Sequence, residues 1–181
     1  MVDAAAESGL SVEDAALRLR LLDWFGGLDA LRGDRSAAEA LAWFVRELDV
    51  AATTDRDCES TAFVVQVLTR AIAAGGRVLI AAMGYGADHP VSRTVAAADD
   101  YGRQPSENAH DAYFAAATNS YPYGAGEGCY AMDGAASCEP GSGCISGAGS
   151  LAQIAFRAGA PAVLDALGAE LTPWLHGIEA P

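Results

Sequence analysis

The sequence predicts a mainly α-helical fold, a single-core domain of about six or seven helices with one long irregular segment rich in glycine and cysteine. Three observations carry this. Apolar residues recur at three- and four-residue spacing through most of the chain. Helix start signals precede those repeats, and glycine or proline follows them. The stretch from 121 to 150 has neither hydrophobic period, and its thirty residues hold eight glycines, three cysteines and three tyrosines. With 181 residues, 51% of them apolar, residues 1–181 form one domain able to bury a substantial core.

The elements follow in order. Ser11 opens the first helix as an N-cap, with Asp14 standing where a capping box has Glu. Val12, Ala15, Leu19 and Leu22 then repeat at helical spacing until Gly26 and Gly27 stop the helix. A second helix begins at Ser36 with Glu39 completing a capping box, and Ala38, Leu41, Ala42, Val45 and Leu48 form its inner stripe. The third runs over about 59–73 and ends at Gly75 and Gly76. Phe63, Val64, Val65, Val67, Leu68 and Ile72 cover so much of its circumference that it is read as the central helix. "RVLIAAMGY" after it suits a strand or a buried helix; a lone strand has nothing to pair with, which favours helix.

Pro90 suits the first turn of a fourth helix, continuing through Val91, Val95 and Ala98 to Asp100. Ser106 caps a fifth, "ENAHDAYFAAATN". After the glycine-rich segment, Leu151, Ile154, Ala155 and Ala158 give a sixth, closed by Gly159 and Pro161. Leu164, Leu167 and Leu171 give a seventh, which Pro173 ends or kinks. The segment 121–150 is too long for an ordinary connector. Its "CYAM" and "CI" prefer burial, so it is expected to be ordered but irregular.

Composition narrows the function classes. Eleven arginines, no lysine and twenty-four acids give a net charge of −13, and the arginines do not cluster, so nucleic-acid binding is not expected. The stretch "MVDAAAESGL" carries acids where a secretory signal carries basic residues. The apolar window from Thr61 to Gly86 is interrupted by Gln66, Thr69, Arg70, Gly75, Gly76 and Arg77, so no membrane span is expected. A cytoplasmic protein with reduced thiols follows as the default. The expected partner is a small-molecule substrate, with a basic protein partner and a homo-oligomer both left open.

Four constellations bear on chemistry. In "SENAHDAYF", Glu107, His110 and Phe114 share a helix face with Asp111 beside them. A carboxylate bonded to one imidazole nitrogen fixes the tautomer, leaving the other nitrogen to move a proton. Glu-x-x-His is also the spacing of a carboxylate-bridged di-metal site, but the second copy such a site needs is absent. A mononuclear site adding His89 or Asp88 stays conceivable, and a plain helix contact for His110 accounts for the same residues.

Cys129, Cys138 and Cys144 are spaced by eight and five residues, unlike the C-x2-C pairs of zinc and iron–sulfur sites. They read as packed thiols, as a Cys138–Cys144 disulfide around "EPGSG", or as a reactive Cys144 thiolate lying just before the sixth helix. "GAGSLA", Gly147 to Ala152, matches a phosphate-binding glycine pattern but lacks the strand that gives the pattern meaning. Tyr121, Tyr123 and Tyr130 around three glycines suit either the wall of a pocket or a cover over a core face. Asp99–Asp100 fits a solvated helix end.

The favoured expectation is a small enzyme acting on a small organic molecule by general acid/base chemistry without a redox cofactor. His110 is the acid/base, Glu107 orients it, Tyr123 holds substrate, and Cys144 is the nucleophile of a covalent variant. The alternatives are a metal-dependent helical enzyme using the Glu-x-x-His pair and a non-enzymatic acidic interaction or inhibitor protein. The sequence identifies neither a cofactor nor a metal.

Overall fold

The structure, a computed structural model, describes residues 10–28, 34–53, 58–120 and 143–178. They form seven helices: α1 Val12–Gly26, α2 Asp34–Thr53, α3 Cys58–Met83, α4 Pro90–Arg103, α5 Glu107–Ser120, α6 Gly143–Ala158 and α7 Ala160–Gly177. No strand occurs among the described residues. The mainly α fold read from the repeats is the fold observed.

The long helix α3 is central, packing against α4, α6 and α7. Phe63, Val64, Val65, Val67, Leu68 and Ile72 are all buried, as their spread around the helix predicts. Gly75 and Gly76 do not end it; α3 continues to Met83, and "RVLIAAM" is helical. The pair serves packing instead. A Cβ on Gly75 would lie 3.2–3.3 Å from Leu151, Ile154 and Val163, and one on Gly76 would collide with Val95. Neighbouring helices therefore approach α3 across its bare backbone. The helix stops beyond Met83 at Gly84, whose φ of +68° suits a residue without Cβ.

By length and composition Phe63–Met83 is apolar enough to cross a bilayer, with a mean hydropathy of 1.5, so its polar interruptions do not break it as expected. Inside the fold 78% of that window is buried.

Two inner stripes are rotated from those read in the sequence. In α1 the buried residues are Asp14, Leu17, Arg18, Leu21 and Phe25, whereas Val12 and Leu19 are exposed. Arg18 can face inward because its Nε donates to the Leu175 carbonyl at 2.7 Å, in the last turn of α7. The predicted cap holds: Ser11 Oγ accepts the Asp14 N–H at 3.1 Å. In α2 the inward set is Ala37, Ala40, Leu41, Phe44, Leu48 and Ala51, with Ala38 and Ala42 exposed. This helix begins at Asp34, so Ser36 lies in its first turn, and Glu39 pairs with Arg35 at 3.1 Å. Aromatic rings join α1 to α2, with Trp24 stacked on Trp43 at 5.1 Å and on Phe44 at 5.5 Å.

Helix α6 starts at Gly143, earlier than expected, so "GAGSLA" lies within a helix rather than before one. Gly159, at φ +93°, separates α6 from α7. Pro161 falls in the first turn of α7, and Pro173 does not end that helix. Pro173 and Ala169 are both exposed, so the carbonyl that loses its donor stands on the solvent side.

Candidate functional site

Helices α4 and α5 form an antiparallel hairpin across Gln104–Ser106. His89 caps α4: its Nδ1 accepts the Val91 N–H at 3.2 Å, and its ring stacks on Tyr85 at 3.7 Å. Ser106 caps α5 as predicted, its Oγ accepting the Ala109 N–H at 3.2 Å. The buried Thr94 hydroxyl lies 3.0 Å from the Pro90 carbonyl and 2.9 Å from the Ala116 carbonyl, which sets the register between the two helices.

That register brings Tyr101 against His110. Their rings meet edge to face at 5.7 Å, and Tyr101 lies parallel to the fully buried Tyr113 at 6.5 Å. Burial raises the Tyr101 phenol above its ordinary value. The His110 side chain is only 19% exposed, and its Nδ1 lies 3.3 Å from the Asp111 carboxylate. Asp111, not Glu107, is thus the carboxylate at Nδ1; Glu107 is exposed at the start of α5.

His89 is far from His110. It lies twelve positions before Tyr101, roughly 18 Å along α4 at 1.5 Å per residue. Among the described residues, no group of three or more His, Cys, Asp and Glu side chains is arranged to hold a metal ion.

Cys144 lies in the first turn of α6. That helix packs on α3, α2 and α7, whereas α5 packs chiefly on α4, so the backbone gives Cys144 and His110 different neighbours. Tyr123 lies outside the described residues, as do Tyr121, Glu127, Cys129, Tyr130, Cys138 and the proposed Cys138–Cys144 bridge.

Beside the hairpin, α3, α4 and α7 share a charge network that sequence reading missed. Glu170 of α7 receives Arg70 at 3.0 Å, Arg77 at 2.8 Å and Arg103 at 3.3 Å. Asp99 receives Arg77 at 3.0 Å and Arg103 at 3.1 Å. The Arg70 guanidinium also lies over the Trp174 ring at 4.6 Å. Burial lowers the Arg70 pKa, with Glu170 opposing the shift. For Asp99, burial pulls upward, but hydrogen bonds from Arg103 and Arg77 outweigh it and hold the carboxyl below its usual value. Asp99 is therefore a paired member of a network that runs from the buried Arg70–Glu170 pair out to partly exposed Arg77 and Arg103, rather than one of two unpartnered solvated acids at a helix end.

A cleft of about 460 Å³ opens on one side of the hairpin. Ala97, Ala109 and Ala112 give it an apolar floor, while Asp100, Arg103, Gln104, Ser106 and Asn108 give it polar walls. Neither His110 nor Glu107 lines it. A readable signal did point here: a connection of only three residues keeps the end of α4 beside the start of α5. Compared with family models, curated proteins and solved structures, the chain matches none.

Proposed function

We propose that the chain is a small cytoplasmic enzyme that acts on a small organic molecule by general acid/base chemistry, with His110 as the proton-transfer group. One observation carries the reading: a largely buried imidazole with a carboxylate at Nδ1, Asp111 at 3.3 Å. A neutral imidazole that donates from Nδ1 to a carboxylate keeps Nε2 as its basic nitrogen, and the carboxylate stabilises the imidazolium once the proton has moved. Nε2 is buried, so proton transfer requires a local opening of the α4–α5 hairpin that admits the substrate. The proposed reaction class is a lyase, isomerase, cyclase or hydrolase step. Cys144, at the start of α6, belongs to the covalent variant, because helix amides favour a thiolate.

The test is a turnover screen of small esters, lactones and enolisable carbonyl compounds followed by proton NMR. His110→Ala must abolish any turnover found while the far-ultraviolet circular dichroism is unchanged. Asp111→Asn must keep the fold, lower kcat and move the pH profile. Full turnover in His110→Ala overturns the assignment, and retained turnover in Cys144→Ser removes the covalent variant.

A non-enzymatic acidic interaction protein is the second reading. It is favoured by Phe156, 92% exposed on a chain of net charge −13. Binding to a basic protein would weaken steeply with added salt.

A further inference from the structure

The α4–α5 cleft contains two opposite charges that do not neutralise each other. Asp100 and Arg103 are three residues apart on α4, a spacing at which helix side chains commonly pair, with Cβ atoms about 5–6 Å apart. Here they do not. Arg103 Nε donates to Asp99 at 3.1 Å, and its Nη2 lies 3.3 Å from both Glu170 oxygens. Those carboxylates hold the guanidinium from one side, and Nη1 makes no hydrogen bond among the described residues. The Asp100 carboxylate likewise has no hydrogen bond or ion pair among them.

The charge balance of the network points the same way. Arg70, Arg77 and Arg103 bring three positive charges to the two carboxylates of Asp99 and Glu170. One positive charge is left over, and of the three arginines only Arg103 lines the cleft. Across from α4, Ser106 Oγ accepts the Ala109 N–H, which leaves its own proton to donate, and the Gln104 and Asn108 amides can both donate and accept. The volume lies in the ordinary range of small-molecule sites.

We infer that this cleft binds a small zwitterion, an α-amino acid or a similarly compact amino-carboxylate. Its carboxylate meets Arg103 Nη1 and Ser106, and its ammonium group meets Asp100. A simple anion would face the Asp100 carboxylate, and a simple cation would face Arg103, so only a ligand carrying both charges satisfies both walls. The side chain of the ligand lies over the alanine floor, flanked by Gln104 and Asn108. The site stands apart from the acid/base reading, because His110 does not line it.

The experiment is a titration of the 15N-labelled full chain with neutral L-α-amino acids, each compared with the matching alkylamine and alkanoate at fixed ionic strength. At least one amino acid should give saturable shifts at the backbone amides of Ser106, Asn108 and Ala109. The amine-only and carboxylate-only analogues should bind at least about 10-fold more weakly. Asp100→Asn, an exposed change outside the network, should leave the spectrum folded and weaken binding about 10-fold. The inference is overturned by an absence of saturable shifts up to about 20 mM of every amino acid. It is equally overturned by an alkanoate that binds as tightly as its amino acid, or by Asp100→Asn binding as well as the parent. None of these outcomes bears on turnover by His110.

Discussion

The Arg70 guanidinium of α3 and the Glu170 carboxylate of α7 meet at 3.0 Å with their side chains only 9% and 12% exposed. A buried pair is not a large net source of stability, because both ions give up their water. Breaking it is costly, since the surviving charge stays buried. Glu170→Ala should therefore destabilise the chain by about 3–5 kcal/mol, read as a lower urea midpoint at unchanged slope. Arg70→Met combined with Glu170→Leu should recover only part of that loss, because Arg77 and Arg103 lose Glu170 and are left sharing Asp99 alone.

Gly76 should behave against its helix propensity. Alanine is worth about 1 kcal/mol over glycine in a helix interior. At Gly76, however, the added methyl would collide with Val95. Overpacking of that kind costs about 1–3 kcal/mol, so Gly76→Ala should be net destabilising, and Val95→Ala introduced beside it should relieve part of the cost. Gly26→Ala is the control: nothing lies within 4 Å of where its methyl group would sit, and thermal melting should show no loss.

Acid should weaken the α3–α4 contact through Asp99. Its folded pKa lies below the ordinary 3.8, so the stability it contributes is fully present above that value. It is lost as pH falls through the depressed folded value. Asp99→Asn should lower Tm at neutral pH and flatten the acid limb of the Tm–pH curve. An unchanged acid limb would refute the pairing.

The cap at His89 predicts a graded series. His89→Ala removes the acceptor for the Val91 N–H and should cost about 1 kcal/mol, while His89→Asp should restore most of it. Thermal melts of the three proteins decide the point.

What the sequence made legible was local. Ser11 and Ser106 cap the helices that follow them because a side chain three residues away is enough to identify the partner. The circumference of α3 was readable from six apolar residues on one segment. What stayed hidden depends on distant residues. Gly75 and Gly76 read as a stop because nothing in their neighbourhood says that Val95, Leu151 and Ile154 will press on that backbone. The inward face of α1 was misjudged for the same reason, since the Leu175 carbonyl that accepts from Arg18 lies 157 residues away. Glu170 gathers three arginines that no spacing rule connects to it. Within the candidate site Glu107 was read as the carboxylate that orients His110, and the rotamer of His110 gives that place to Asp111 instead.

The burial of α3 has a kinetic consequence. A helix flanked by α4, α6 and α7, with glycines seated beneath its neighbours, has no way to open by fraying one of them. Its middle amides, around Val67 to Ala74, should exchange with deuterium only through global unfolding, and so report the full free energy of the fold. Amides on the exposed face of α5 should exchange through smaller openings, orders of magnitude sooner. The same molecule would then carry its own internal clock: a slow core helix that measures whether it is folded, and a faster hairpin that reports its own smaller openings.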